Sequence, residues 1–354
     1  MPIPTEPIGS IPRPLELIEG MQAAAAGELS PEELDRLYAH AVQDTIASFE
    51  ATGSPVITDG EQRKSSFATY SLDGLEELAA DGVVIPFADG HTRQLPRLTS
   101  GPFHYGRYAD AFLEEAQRYA TRPVKQAVIS ASALSLLYPP DGIADYPREA
   151  FIADLLRESE ADIRRSLERG AHTVQIDFTE ARLSLKLDPS GQLLRDFVEL
   201  NNAVLSRFSA AERQRIGVHT CPCGDIDSTH SADVDYDDLL PTLFQLEAGS
   251  FYIELAGERN RPGVLETVRA HLTPDRRIYV GVTDPIDPAV ETPEEVRDRV
   301  LEAAEYVPLA QLGTTDDCGF SPFGDDTSTA RETAFEKIRA RVLGTELAAR
   351  QLGS

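Results

Sequence analysis

The stretch Arg215-Ile216-Gly217-Val218-His219-Thr220-Cys221 is an apolar run that ends in two possible metal ligands. Side chains along a strand alternate between its two faces, so His219 and Cys221, two residues apart, would point to the same face. An imidazole and a thiol that converge at a strand end can bind a borderline cation, and zinc is the first candidate. Two ligands do not complete a site, so other strand ends must supply the rest.

Similar short apolar runs alternate with long amphipathic stretches along the chain, which is the pattern of repeated strand–helix units. The runs occupy residues 4–9, 55–58, 127–132, 173–176, 215–218, 251–253, 277–282 and 310–315. Roughly eight such units predict an α/β fold, a closed (β/α)8 TIM-type barrel. We expect residues 1–354 to form a single domain, with a long insertion after the second strand at about residues 62–125. On the pattern alone, an open parallel sheet is an alternative.

The amphipathic stretches carry helix-end signals. Capping boxes, in which a Ser or Thr is followed three residues later by Glu, predict helices that start at Ser30 and Thr292. Periodic apolar positions predict further helices at about 109–119, 148–169, 192–208, 236–247 and 329–350. Pro241 predicts that the helix at 236–247 is interrupted or starts late, because proline lacks the backbone donor.

The composition limits the possible partners. The formal net charge is -26, which argues against nucleic acid and anionic membranes, because phosphate binding needs a basic surface. Three cysteines, Cys221, Cys223 and Cys318, fit a reducing compartment better than a disulfide framework. We find no signal-peptide pattern and no apolar run long enough to span a bilayer, so the expected location is the cytoplasm.

Four possible zinc donors lie at or just past strand ends, and they are His219, Cys221, Glu254 and Cys318. They come from three different runs, so only a barrel would bring them to one point. The simpler interpretation is chance spacing, with buried free cysteines and a Glu254 that faces water. A carboxylate at the end of an apolar strand must be solvated, paired or ligating, which favours a metal role.

Two further residues near this set are interpreted as bystanders. Cys223 could bind metal in place of Cys221, but Pro222 and Gly224 indicate that the chain has already left the strand. His230 lies in a polar loop, and we expect it to be a surface histidine rather than a ligand.

Seven short motifs follow one another at strand ends: Ile8-Gly9-Ser10, Asp59-Gly60-Glu61, Gln175-Ile176-Asp177, His219-Thr220-Cys221, Tyr252-Ile253-Glu254, Gly281-Val282-Thr283-Asp284 and Asp317-Cys318-Gly319. Their order and placement resemble the catalytic, C-terminal half of cobalamin-independent methionine synthases and their short single-barrel relatives. The resemblance runs almost from end to end of the chain. Each motif is short, so the combination carries the specificity.

This resemblance implies a zinc enzyme that transfers a methyl group from a folate to a thiol, homocysteine. It implies that His219, Cys221, Glu254 and Cys318 hold the zinc. It also implies that Ser10, Glu61 and Asp177 bind the carboxylate and ammonium groups of the amino acid, which their hydrogen-bonding chemistry allows. A folate donor needs a proton on its leaving nitrogen, and Asp177, Glu180 and Asp284 are the candidate catalytic residues.

The chain departs from the family pattern at three points. The family motif Asp-Glu-Pro-Ala is here Asp177-Phe178-Thr179-Glu180, no histidine follows the seventh strand, and the N-terminal barrel of the long members is absent. These departures keep a second hypothesis open, a zinc-dependent alkyltransferase or lyase that acts on a different thiol or alkyl donor. A binding protein with structural zinc and a metal-free barrel decarboxylase are two further alternatives.

Overall fold

The structure, a computed structural model, describes residues 2–353 and consists of a parallel sheet surrounded by helices. In chain order the strands are β1 (Leu78–Ala79), β2 (Val84–Pro86), β3 (Thr92–Gln94), β4 (Arg97–Leu98), β5 (Gln126–Ile129), β6 (Val174–Asp177), β7 (Ile216–Thr220), β8 (Gly224–Asp225), β9 (Ser228–Thr229), β10 (Ser250–Ile253), β11 (Arg277–Gly281) and β12 (Leu312–Thr315). The helices are α1 (Leu15–Ala25), α2 (Pro31–Ala51), α3 (Asp110–Gln117), α4 (Ala131–Ser135), α5 (Arg148–Glu168), α6 (Glu180–Leu187), α7 (Gln192–Leu205), α8 (Ala210–Arg213), α9 (Tyr236–Leu243), α10 (Arg261–His271), α11 (Pro293–Ala304) and α12 (Arg331–Gln351), with a 3-10 turn at Tyr70–Leu72.

Six of the strands form the central parallel sheet, in the order β12-β11-β10-β7-β6-β5. Two short segments continue it at its edges: Thr5 makes a parallel bridge with Thr314 of β12, and Ile57 makes one with Val124, just before β5. Between these two segments, the Thr58 hydroxyl donates a hydrogen bond to a backbone carbonyl oxygen of the first segment at 2.8 Å. The sheet is therefore closed by eight parallel segments, and the predicted TIM-type barrel is confirmed.

The predicted elements agree with most of this architecture. Both capping boxes are present, at Ser30 before α2 and at Thr292 before α11. The prediction for Pro241 was wrong, because α9 begins at Tyr236 and contains the proline. The loss is the one i→i−4 hydrogen bond that the missing N–H of the proline would have made to the Asp237 carbonyl oxygen, in a helix of eight residues. Within the described chain, no helix combines the length and the apolarity needed to cross a membrane.

The segment at residues 62–125 contains helix α3 and two antiparallel pairs of strands, β1 with β4 and β2 with β3. The β2–β3 hairpin packs against loops at the C-terminal ends of the barrel strands. The Ala88 N–H donates to the Thr229 carbonyl oxygen, and Arg93 makes ion pairs with Asp225 and Asp325 at 2.5 and 2.9 Å. The hairpin therefore covers part of the barrel mouth. The assignment of this segment as an insertion in a single domain stays a prediction.

A stack of charged and aromatic side chains fills the barrel interior below the mouth. The rings of Tyr252 and Tyr279 stack with centroids 4.5 Å apart, and their hydroxyls donate to the Glu6 carboxylate at 2.6 and 2.9 Å. The Lys125 ammonium lies 3.5 Å from the centroid of the Tyr252 ring. Burial raises the pKa of Glu6, but His172, Lys125 and the Tyr252 hydroxyl together lower it to about 2. The interior charge is thus paired and hydrogen-bonded, as burial requires.

Two glycines make room for this stack. A side-chain carbon added at Gly217 would lie 2.5 Å from the Tyr252 ring, and one added at Gly313 would lie 2.4 Å from the Tyr279 ring. Both glycines are in barrel strands, on which inward side chains fill the interior in layers. The large rings therefore occupy the space that the small residues on the neighbouring strands leave.

We expect Gly313→Ala to lower the free energy of unfolding by about 1–3 kcal/mol, because the added methyl group would overpack the interior. Urea unfolding followed by circular dichroism measures this cost. In a Tyr279→Leu background the smaller side chain leaves space for the methyl group, so the cost of Gly313→Ala should shrink there. An equal cost in both backgrounds would contradict the packing argument.

Candidate active site

Three donors converge at the C-terminal ends of the barrel strands. The ligand atoms of His219, Cys221 and Cys318 all lie within 4.8 Å of one another, and all three residues are buried. The two sulfur atoms are 2.9 Å apart and the cysteines are free thiols. Both ring nitrogens of His219 are buried without a hydrogen-bond partner among residues 2–353. An unpartnered buried imidazole is costly, so this donor set fits a zinc-type cation that would bind the ring nitrogen.

The two thiols at this point differ in their electrostatics. A hydrogen bond with Cys221 lowers the pKa of the Cys318 thiol well below its usual value, and the nearby imidazole of His219 acts in the same direction. Burial raises the pKa of the Cys221 thiol well above its usual value. The pair therefore favours one thiolate and one thiol, and an anionic sulfur attracts a cation.

Glu254, the fourth predicted donor, lies outside the three-donor group. Its Oε2 atom accepts a hydrogen bond from Arg182 at 2.8 Å, and the same guanidinium nitrogen donates to Glu258 at 2.6 Å. Burial raises the pKa of Glu254, and the charge of Arg182 opposes that shift. The ligand role of Glu254 stays a prediction. Arg182 was not among the predicted site residues; it is the third residue of α6, which follows the buried strand β6.

Asp317 has a structural role that was not predicted from the sequence. Its carboxylate accepts the backbone N–H groups of residues 255–257 at 2.9, 2.9 and 2.6 Å. A side-chain carbon added at Gly281 would lie 1.7 Å from Asp317 Oδ1, so only glycine fits beside it. Asp317 therefore fastens the loop after β10 to the loop that carries Cys318, and it sets the distance between the two.

The three predicted substrate residues share one pocket with two of the three close metal donors. Ser10, Glu61 and Asp177 line this pocket together with His219 and Cys318. Asp177 lies directly beside His219 in the register of β6 and β7. The Ser10 hydroxyl accepts a hydrogen bond from a backbone N–H at 3.2 Å. The barrel has thus brought together residues from five separate strand ends.

The acids of this pocket are held by buried partners. The Lys64 ammonium lies 2.7 Å from Glu61 Oε1, and both side chains are buried. Burial raises the pKa of Asp177 to about 6, while the charges of His219 and Lys64 lower it and that of Glu61 raises it. Gln175 donates a hydrogen bond to the Asp177 carboxylate at 2.7 Å. The pocket therefore has two carboxylates and one ammonium partner. The remaining negative charge can bind a second cation.

The other candidate residues lie elsewhere. Glu180 lines a second, larger pocket, and Asp284 lines neither of these two pockets within the described chain. The prediction that His230 is a surface histidine was wrong, because it is only 4% exposed and packs against Phe87 of the hairpin. No local pattern around His230 indicated that a distant segment would cover this loop. Cys223 lies past the end of β7, as predicted, and it lines both pockets.

Comparisons with known proteins place this geometry in a family. A family model described as "Cobalamin-independent synthase, Catalytic domain" matches residues 3–335. The uncharacterized protein YxjH of Bacillus subtilis is 26% identical over 96% of this chain and 92% of its own length. The methionine synthase of Sulfurisphaera tokodaii is 23% identical over 99% of this chain and 94% of its own.

The solved structure of a B12-independent methionine synthase from Shewanella sp. W3-18-1, in complex with selenomethionine, superposes with a TM-score of 0.78 and 18% identity over 99% of both chains. At this identity the likeness shows the fold. The family model covers almost the whole chain, and the protein therefore belongs to the family of the cobalamin-independent synthase catalytic domain.

Proposed function

We propose that this protein transfers a methyl group from a methylfolate to the thiol of homocysteine and that it uses zinc. The observation that carries the proposal is the buried, unpartnered imidazole of His219 beside the thiols of Cys221 and Cys318, at the floor of an acid-lined pocket. The activity of the relative from Sulfurisphaera tokodaii, a methionine synthase, supports the same reaction.

His219, Cys221 and Cys318 would hold the metal, with Glu254 as the proposed fourth protein donor. When bound, zinc supplies the charge that ionises a thiol at neutral pH, and thiolate is the nucleophilic form of sulfur. Of the four proposed donors, three lie close together and Glu254 is paired with Arg182. A catalytic zinc site keeps a position for substrate, whereas a structural site is closed by four protein ligands. This favours an enzyme over a protein with structural zinc.

Homocysteine would be held in this pocket through its two charged groups. Asp177 and Glu61 provide carboxylates for the ammonium group, and only Glu61 is already paired with a lysine. The Ser10 hydroxyl provides a donor for the substrate carboxylate. Charge-assisted hydrogen bonds of this kind are short and directional, so they would orient the acceptor with its sulfur toward His219 and Cys318.

We expect Cys318→Ser to lose most of the bound zinc and the proton release that accompanies thiol binding, because the thiolate donor is removed. Metal analysis of the purified variant and a pH-indicator titration with homocysteine measure both effects. Cys223→Ser is the matched control, since it removes the third cysteine and should keep the zinc. If Cys318→Ser kept stoichiometric zinc, or if the unaltered protein bound none, the metal assignment would be wrong.

We expect Asp177→Asn to raise the KM for homocysteine about tenfold or more, because the charged hydrogen bond to the ammonium group is lost. The affinity of the same variant for 4-mercaptobutanoate, which has no ammonium group, should equal that of the unaltered protein. Steady-state kinetics and competition by the two thiols measure this difference. Equal losses with both thiols would place the ammonium site elsewhere.

A further inference from the structure

A second pocket lies beside the acceptor pocket, between the β2–β3 hairpin and helices α6 and α7. The two pockets share Phe67, Thr179 and Cys223 as common wall residues. Most of the second pocket is apolar, with hairpin residues 83–87 on one side and helix residues such as Leu183 on the other. A molecule in this second pocket would therefore lie next to a substrate thiol bound in the acceptor pocket.

The charges of the second pocket select against anionic ligands. Among the described residues that line it, the charged ones are Arg93, Glu180 and Asp325. The Arg93 guanidinium is already paired, with Asp225 through Nε and Nη2 at 2.5 and 2.9 Å and with Asp325 through Nη1 at 2.9 Å. No unpaired cation in the lining is available to balance a bound anion, so the part of a ligand that enters should be uncharged.

Glu180 is the acid of this pocket, and its two oxygens differ. The hydroxyls of Ser130 and Ser132 both donate to Oε1, each at 2.5 Å. Ser130 Oγ accepts from the Ala133 N–H and Ser132 Oγ accepts from the Asn201 amide at 2.7 Å, so each hydroxyl has its own proton to donate. Ser130 Oγ, at 3.3 Å, is a more distant acceptor for Ser132 than Glu180 Oε1 is. Within residues 2–353, Oε2 is buried and has no hydrogen-bond partner. A proton on Glu180 would therefore reside on Oε2.

Glu180 is partly protonated near neutral pH, where a general acid is useful. Burial raises its pKa to about 7; the two serine hydroxyls lower the pKa, and the charge of Asp177 raises it. Two other titratable side chains of the wall, His230 and Asp325, do not compete. Burial lowers the pKa of His230 to about 3, so it is neutral near pH 7, and the pKa of Asp325 is lowered by its pairing with Arg93 despite partial burial.

We propose that the second pocket holds the uncharged ring system of a methyl donor whose methyl group is bound to nitrogen, and that Glu180 protonates that nitrogen as the methyl group leaves. The carbon–nitrogen bond breaks, a carbon–sulfur bond forms with the acceptor thiolate, and the Oε2 proton moves to the nitrogen. The acceptor thiol releases its proton to solvent when it becomes a thiolate. Solvent then returns a proton to Glu180. This proposal rests on the proposed function, because the thiolate comes from the first pocket.

The test compares two donors in the zinc-loaded protein with homocysteine. Methyltetrahydrofolate with one glutamate leaves as an amine and needs a proton, whereas iodomethane leaves as iodide and needs none. We expect Glu180→Gln to lower single-turnover methionine formation from methyltetrahydrofolate by about 10²–10⁴-fold and to leave the rate with iodomethane unchanged. The dissociation constant of methyltetrahydrofolate, measured by calorimetry, should also stay unchanged, because the amide preserves the shape of the pocket.

The pH profile gives an independent result. The rate with methyltetrahydrofolate should fall as the pH rises through about 7, because Glu180 must be protonated, and this fall should be absent with iodomethane. Equal losses from Glu180→Gln with both donors would overturn the proposal and indicate a structural role. If the unaltered protein used iodomethane but not methyltetrahydrofolate, the proposed class of donor would be wrong, whereas the proposed activation of the acceptor thiol would be retained. Failure with both donors would contradict the proposed function itself.

A second variant tests where the donor binds. Val84 of the hairpin lines the second pocket and is 51% exposed, so Val84→Glu should fold and add an uncompensated charge to the pocket. We expect a KM for methyltetrahydrofolate at least tenfold higher and an unchanged KM for homocysteine. Val290→Glu is the matched control, because Val290 is 42% exposed and outside this pocket. An unaltered KM for the donor in Val84→Glu would place the donor elsewhere.

Discussion

Closure of the parallel sheet is the constraint on which the rest of this structure depends. Cys221 and Cys318 are 97 residues apart in the chain, yet their sulfur atoms lie 2.9 Å apart because their strands end at the same mouth. The first two segments contribute little hydrogen bonding, with single bridges at Thr5 and Ile57. They complete the circle nonetheless, and they bring the loops of Ser10 and Glu61 to the same mouth as the metal donors. An open sheet would leave these loops at separate edges.

The buried carboxylates of the site are stabilised by hydrogen bonds and ion pairs from neighbouring groups. The carboxylates of Asp317 and Glu254 are each held by a different kind of partner, three backbone N–H groups in one case and a guanidinium in the other. Such pairs are costly to break once they are buried. They therefore hold the loops in place before any ligand arrives, and the donor atoms do not have to be assembled by the ligand.

The barrel and the three close donors could be predicted because strand ends are marked locally by polar residues after apolar runs. The sequence could not show that Glu254 is paired with Arg182, since that contact joins two different strand–helix units. Nor could it show the two pockets, because one wall belongs to the β2–β3 hairpin, far from the other walls in the chain. His230 was misjudged for the same reason: burial by a distant segment leaves no local pattern. Glu180 was found as a candidate, but its serine partners were not.

The ion pair between the β2–β3 hairpin and the barrel mouth has a consequence for the position of the hairpin. The Asp225 side chain is fully buried, and the guanidinium of Arg93 is its main counter-ion. Movement of the hairpin away from the mouth would separate this buried pair, which is costly. The pair therefore holds the hairpin in place over the mouth.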